Sequence, residues 1–164
     1  MLACVDVDYR GAGAVAACVL FRAWDDAGSA AEWVEAMAQV APYQPGQFYR
    51  RELPCLLSVL ATVAEPLEAI VVDGYVWLSD DRPGLGAHLY EALGHREAVI
   101  GVAKTRFAGA EAEPVIRGGS RRPLYVSAAG LERAAAARHI ERMHGTYRLP
   151  TLLRRVDQLC RGRA

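Results

Sequence analysis

One stretch, Ala69 to Phe107, restricts the possible folds of this chain more than any other. It opens with a short β-branched run, Ile70-Val71-Val72, that stops at Asp73-Gly74. A polar loop follows, and then Leu85, His88, Leu89 and Leu93 recur at helical spacing. A second β-branched run, Val99 to Val102, ends at Lys104. Strand, helix, strand with this spacing is a βαβ unit. Its crossover makes the two strands parallel, so Asp73 and Lys104 are expected at the same carboxyl end of neighbouring or near-neighbouring strands. That edge is where open α/β sheets gather ligands and reacting groups. Lys104 is also the only lysine of the chain, among many arginines.

The flanking segments add elements on both sides. Residues 2–9 alternate as a strand that puts Asp6 and Asp8 on one face and Val5 and Val7 on the other. Gly11 and Gly13 mark a turn, and residues 14–24 read as the second strand of a hairpin. Residues 31–40 suit either a third strand or a short helix, and the strand makes the more coherent sheet. A loop stiffened by Pro42 and Pro45 leads into a helix whose apolar face holds Leu53, Leu56, Leu57, Leu60 and Val63. By pattern alone, Glu52 on that helix reads as a solvated charge. After the βαβ unit, residues 107–122 look loop-rich, 123–127 read as a last strand, and 130–143 as an alanine-rich helix. Thr151 then caps a final helix that carries Asp157. His88 is expected to pack between helix and sheet. Trp24, Trp33 and Trp77 are expected in the core or at an interface.

This order predicts an α/β fold with a mixed β-sheet, three antiparallel strands followed by parallel ones, flanked by helices as in ribonuclease H-like domains. With 164 residues the chain is expected to form a single domain, residues 1–164. Formal net charge is zero, so attraction to nucleic acid must come from local clusters. Arg117, Arg121 and Arg122 form the best such cluster. The four cysteines show neither paired nor metal-finger spacing, which suits reduced core thiols and a cytoplasmic location. No leader or membrane-spanning run is read, and a monomer is expected.

Asp6, Glu52, Asp73 and Asp157 come from four separate elements. If the fold gathers them, their mutual repulsion demands a cation. Carboxylate oxygens are hard ligands that suit Mg²⁺ or Mn²⁺. Such ions activate water and stabilise the leaving oxygen of a phosphodiester, and Lys104 at the same edge could offset phosphate charge.

Specific motifs sharpen this picture. Asp6-Val7-Asp8-Tyr9, Pro42-Tyr43-Gln44-Pro45-Gly46 and Arg51-Glu52 come in that order. Asp73-Gly74, Gly84-Leu85-Gly86-Ala87-His88 and Ile100-Gly101-Val102-Ala103-Lys104 follow, then Tyr125-Val126-Ser127 and Arg148-Leu149-Pro150. Together they resemble the endonuclease V family, which nicks nucleic acid next to deaminated adenine (inosine). The resemblance implies a Mg²⁺- or Mn²⁺-dependent endonuclease of DNA repair. Asp6, Glu52, Asp73 and Asp157 would be its metal-binding carboxylates and Lys104 its active-site lysine. Tyr43 would wedge into the gap left by the displaced base, and Gly46 and Gly74 would line the base pocket. Arg121 and Arg122 remain phosphate-binding candidates.

Three departures from the family pattern stand out. Only five residues precede Asp6, where family members usually carry a longer stretch. Val76 replaces a glycine and is expected to narrow the base pocket. Ser79-Asp80-Asp81 replaces a His-Pro-Arg, placing two acids beside a phosphate track. The last two changes leave room for an alternative: a weakened or inactive nucleic-acid-binding relative, or a nuclease with an altered substrate.

Overall fold

A computed structural model describes residues 1–42 and 44–163 of the chain. Its centre is a seven-stranded mixed sheet. β1 (Leu2–Arg10), β2 (Gly13–Phe21) and β3 (Ala31–Met37) form an antiparallel meander. β4 (Ala69–Asp73) adds in parallel to β1, and β7 (Ala98–Ala103) in parallel to β4. β9 (Leu124–Ala129) pairs antiparallel with β7, and the short β8 (Glu113–Val115) closes that edge. The spatial order is β3-β2-β1-β4-β7-β9-β8. A separate two-stranded ribbon, β5 (Trp77–Ser79) with β6 (Arg82–Pro83), stands above the end of β4.

Four helices cover the sheet. α1 (Tyr49–Ala61) and α2 (Leu85–Ala92) pack on one face, α3 (Arg133–Arg142) and α4 (Thr151–Cys160) on the other. Period-two alternation sorts each strand between the two cores. Cys4, Val71, Ile100 and Val126 face α3 and α4, whereas Val5, Ile70, Val72 and Val99 face α1 and α2. Both faces of β2 are buried, with Phe21 fully so, which is why it reads as one apolar run. Fully burying a side chain of that size contributes roughly 1.5–3 kcal/mol. No described helix is long and apolar enough to cross a membrane.

The mixed sheet and the β4–α2–β7 unit are as expected, and β3 is the strand that the sheet argument favoured. Elsewhere the boundaries move. β2 ends at Phe21, before the Trp24 turn, and α3 starts at Arg133. Two apparent loops hold strands: β8 within 107–122, and the β5–β6 ribbon between Gly74 and α2. Both are too short to carry a readable period.

Gly101 shows how tightly the sheet's functional edge is built. A Cβ there would lie 2.6 Å from the Gly74 carbonyl oxygen and 2.8 Å from both Ser127 Oγ and the Val76 nitrogen. The Ser127 hydroxyl accepts the Val76 N–H at 2.9 Å, tying the loop after β4 down onto β9. Gly101→Ala is expected to destabilise by about 2 kcal/mol through overpacking. In a domain of this size that lowers the melting temperature by roughly 4–8 °C, readable by calorimetry. An unchanged melt would mean that the loop yields freely.

Candidate active site

Parallel pairing delivers the first two groups. Asp73 closes β4 in register with Val102, and the chain leaves β7 at Lys104 immediately beyond. The Lys104 ammonium donates to Asp73 Oδ2 at 2.5 Å. On the neighbouring strand, alternation turns Asp6 to the face covered by α4. Asp6, Asp73, Lys104 and Asp157 thereby line one small cavity, together with Val5, Val102 and residues of α4.

Glu52 enters from α1. It is buried, although its helix pattern suggested a solvated charge, and its Oε2 has no hydrogen-bond partner. Burial first, and then the fields of Asp6 and Asp73, push its pKa from 4.5 up to about 8. Asp6 moves the same way, to about 6: burial raises it, the Val7 N–H at 2.9 Å opposes, and Asp73 and Asp157 add to the rise. Burial works to lower the Lys104 pKa, but the bond to Asp73, aided by Asp6 and Asp157, outweighs it and holds the amine charged. Asp157 is paired with Arg161 at 2.8 Å, one helical turn on. The Cys160 thiol lies 3.7 Å from Asp6 Oδ2, and burial next to these carboxylates pushes it up to about 12.

The four acids and the lysine are therefore brought to one end of the sheet. They are not a closed ligand set. Among the described residues, no three Asp, Glu, His or Cys side chains stand in a metal-holding arrangement. Lys104 and Arg161 draw Asp73 and Asp157 toward themselves. The donor chemistry still fits a hard divalent cation. A buried carboxylate with an unpartnered oxygen lies within the fields of two further carboxylates, a combination that is costly without positive charge.

On the other side of Asp73, a second cavity gathers Gly46, Gly74, Tyr49, Tyr75 and Arg82. The two glycines expected to line a base pocket share it. Tyr43 lies outside the described residues. Val76, expected to narrow this pocket, does not line it; its side chain is fully buried in the α1–α2 core, where it packs on Gly86. Asp80 and Asp81 are exposed at the tip of the β5–β6 ribbon.

Three other expectations need correction or placing. Arg117 is no phosphate ligand. It is buried and donates to the carbonyls of Met143, Gly145, Tyr147 and Arg148, bracing the segment before α4. Arg121 and Arg122 are exposed on the loop before β9 and line neither cavity. His88 stacks on Tyr49 of α1, ring centroids 3.6 Å apart, so it joins helix α2 to helix α1.

Sequence reasoning also missed two positioning groups. Arg148 donates to the carbonyls of Lys104 and Pro123, the latter at 2.7 Å, and so holds the backbone that presents the lysine. Tyr75 donates its hydroxyl to the Thr105 carbonyl (2.8 Å) and accepts the Phe107 N–H (3.0 Å), fixing the chain just beyond. Arg148 opens the Arg-Leu-Pro motif, but its partners are far away in sequence and no local signal names them.

Comparison with known proteins places the chain in a family. The family model described as Endonuclease V matches residues 1–147. The endonuclease V of Streptomyces coelicolor is 34% identical over 185 residues, covering 96% of this chain and 76% of that protein. The crystal structure of the endonuclease V of Streptomyces avermitilis superposes with a TM-score of 0.79 at 30% identity, covering 98% of this chain and 79% of that one. The Ciona intestinalis endonuclease V, solved in complex with a 24mer DNA containing an inosine followed by a ribo-adenosine, shares the fold with a TM-score of 0.81 at 18% identity, covering 98% of this chain and 84% of that one. With the family model spanning most of the sequence and the sheet-edge acids in their expected elements, the chain belongs to the endonuclease V family of nucleases.

Proposed function

We propose that this chain is a divalent-metal-dependent endonuclease that hydrolyses a phosphodiester near a deaminated base, inosine, in DNA or RNA. The observation that carries the reading is the buried, unpartnered carboxylate oxygen of Glu52 beside Asp6 and Asp73, with Lys104 at the same strand ends. Asp6, Glu52, Asp73 and Asp157 would hold Mg²⁺ or Mn²⁺, which would supply an activated water and charge stabilisation for the leaving oxygen.

The remaining work falls to the chain itself. Lys104, kept charged by Asp73, offsets the negative charge of the phosphate. Arg148 and Tyr75 hold its backbone from either side. The cavity at Gly46 and Gly74 opens beside Asp73, so a base extruded into it leaves its own phosphodiester near the acids. Extrusion is needed because the groups attached to a stacked base are out of reach, and an aromatic such as Tyr43 would offset part of the lost stacking. Arg121 and Arg122 are offered as more distant phosphate contacts, and residues 1–164 as one functional unit, monomeric and cytoplasmic.

The test is nicking of an inosine-containing oligonucleotide. Cleavage is expected with Mg²⁺ or Mn²⁺ and not with a chelator, and less on the same strand carrying adenine. A second reading, binding without turnover, is favoured by Asp80 and Asp81 at the ribbon tip and by the carboxylates already paired with Lys104 and Arg161. Tight binding of the oligonucleotide with no metal-dependent nick would establish it instead.

A further inference from the structure

Of the three arginines in or next to α4, two are spoken for. Arg155 forms a two-pronged pair with Glu32, and Arg161 pairs with Asp157. Arg154 pairs with no carboxylate among the described residues. It is exposed, it lines the acid cavity with Asp6, Asp73, Lys104 and Asp157, and its guanidinium lies 4.5 Å from the ring centroid of Tyr147. Among the described residues Tyr147 is the most exposed of the large hydrophobic side chains, at 63%. Arg154 covers one side of its ring.

The segment that carries Tyr147 is held firmly. The buried Arg117 takes the Tyr147 carbonyl at 2.9 Å and three neighbouring carbonyls besides. Gly118 backs so closely on the same residue that a Cβ there would fall 2.2 Å from its carbonyl carbon. Arg148, the next residue, grips the Lys104 backbone. The backbone that presents this exposed aromatic is thus held at a set place relative to the acids, and its ring contact brings the uncommitted Arg154 cation to the same place.

Resting on the nuclease reading above, we propose that Tyr147 and Arg154 form a preformed strand-binding subsite, in which Arg154 pairs with a phosphate adjoining the cleaved bond and Tyr147 stacks a base. A planar guanidinium suits a phosphate, and its contact with the ring sets its plane in advance. The ring accepts any base, so this subsite supplies affinity and register without sequence preference.

The experiment is steady-state nicking of a fluorescein-labelled, inosine-containing duplex with Mn²⁺ over a range of salt concentrations. Arg154→Ala is expected to raise KM about tenfold with kcat little changed, and to reduce the slope of log(kcat/KM) against log salt by about one, the loss of one phosphate contact. Arg154→Lys should retain the slope. Tyr147→Ala should raise KM about tenfold with the slope intact, and Tyr147→Phe should match the wild type. Both side chains are exposed, so melting temperatures should not move. Unchanged KM and slope in Arg154→Ala, beside an active wild type, overturns the subsite and leaves the nuclease reading standing. A wild type that does not nick ends the nuclease reading and the subsite with it.

Discussion

Asp73→Asn is expected to abolish most cleavage while leaving the fold intact. The substitution keeps the shape of the side chain and one oxygen, and removes the charge at the point where the two cavities meet. Asp73 is the acid closest to Lys104, so the lysine would lose its partner, and the cavity would lose part of the negative charge that attracts a cation. A loss of roughly a thousandfold in kcat is expected, the scale seen when one charge-stabilising group is taken from an active site. Stability should hardly change. The pair with Lys104 is about 40% exposed on either side and sits at the surface, where such bridges count for little. Single-turnover nicking by the variant and the wild type, each with its melting curve, makes the comparison. Equal cleavage by the two proteins would remove Asp73 from the chemistry and leave the shared edge of the cavities without a role.

How Asp73 and Lys104 come together is readable from the chain, because parallel pairing is forced by a helical crossover and both residues stand at the carboxyl ends of strands rich in β-branched residues. Asp6 is readable for the same kind of reason: its neighbours alternate cleanly, so its face is fixed. Glu52 is not. Its helix is amphipathic enough to place Leu56 and Val59 inside, yet whether an acid near that seam is wetted depends on how α1 sits over the strand ends, a tertiary fact. Arg117 fails in the opposite direction. Three arginines around a Gly-Gly pair look like a phosphate loop, and nothing local reveals that one of them turns inward to collect four carbonyls. Val76 misleads because a lost glycine suggests a filled pocket, whereas the ribbon that follows turns this side chain into the core. In each case the sequence pattern defines the element, and packing between distant elements decides the side chain's surroundings.

Kept in chelator, the protein is expected to lose stability as pH rises, and Glu52→Gln is expected to remove most of that loss. An unfolded glutamate titrates near 4.5, and in the folded chain Glu52 titrates at about 8. Below the lower value both states hold the proton and the group is neutral to stability. Between the two values the folded state binds a proton that the unfolded state has released, so stability falls with each step upward in pH. Above about 8 both states are ionised, and the full penalty of a buried, partnerless charge is felt. Asp6 acts with the same sign between 3.8 and about 6. Lys104, raised above 10.5, contributes stability that is lost only at higher pH still, outside this window. Each pH step of one between those two values costs about 1.4 kcal/mol, so the Glu52 contribution is on the order of a few kcal/mol. For a domain of this size that is roughly 10 °C in melting temperature. Glutamine has nearly the same shape and no charge to bury, so the variant should melt well above the wild type at pH 8 and beyond, and close to it near pH 4.5. Adding Mn²⁺ should flatten the wild-type profile and leave the variant's less changed, because ligands that bind only the folded state stabilise it by mass action. A wild-type profile already flat in chelator, or a glutamine variant that melts lower at high pH, would mean that the Glu52 carboxylate is solvated after all, and with it would go the strongest reason for placing a cation among these acids.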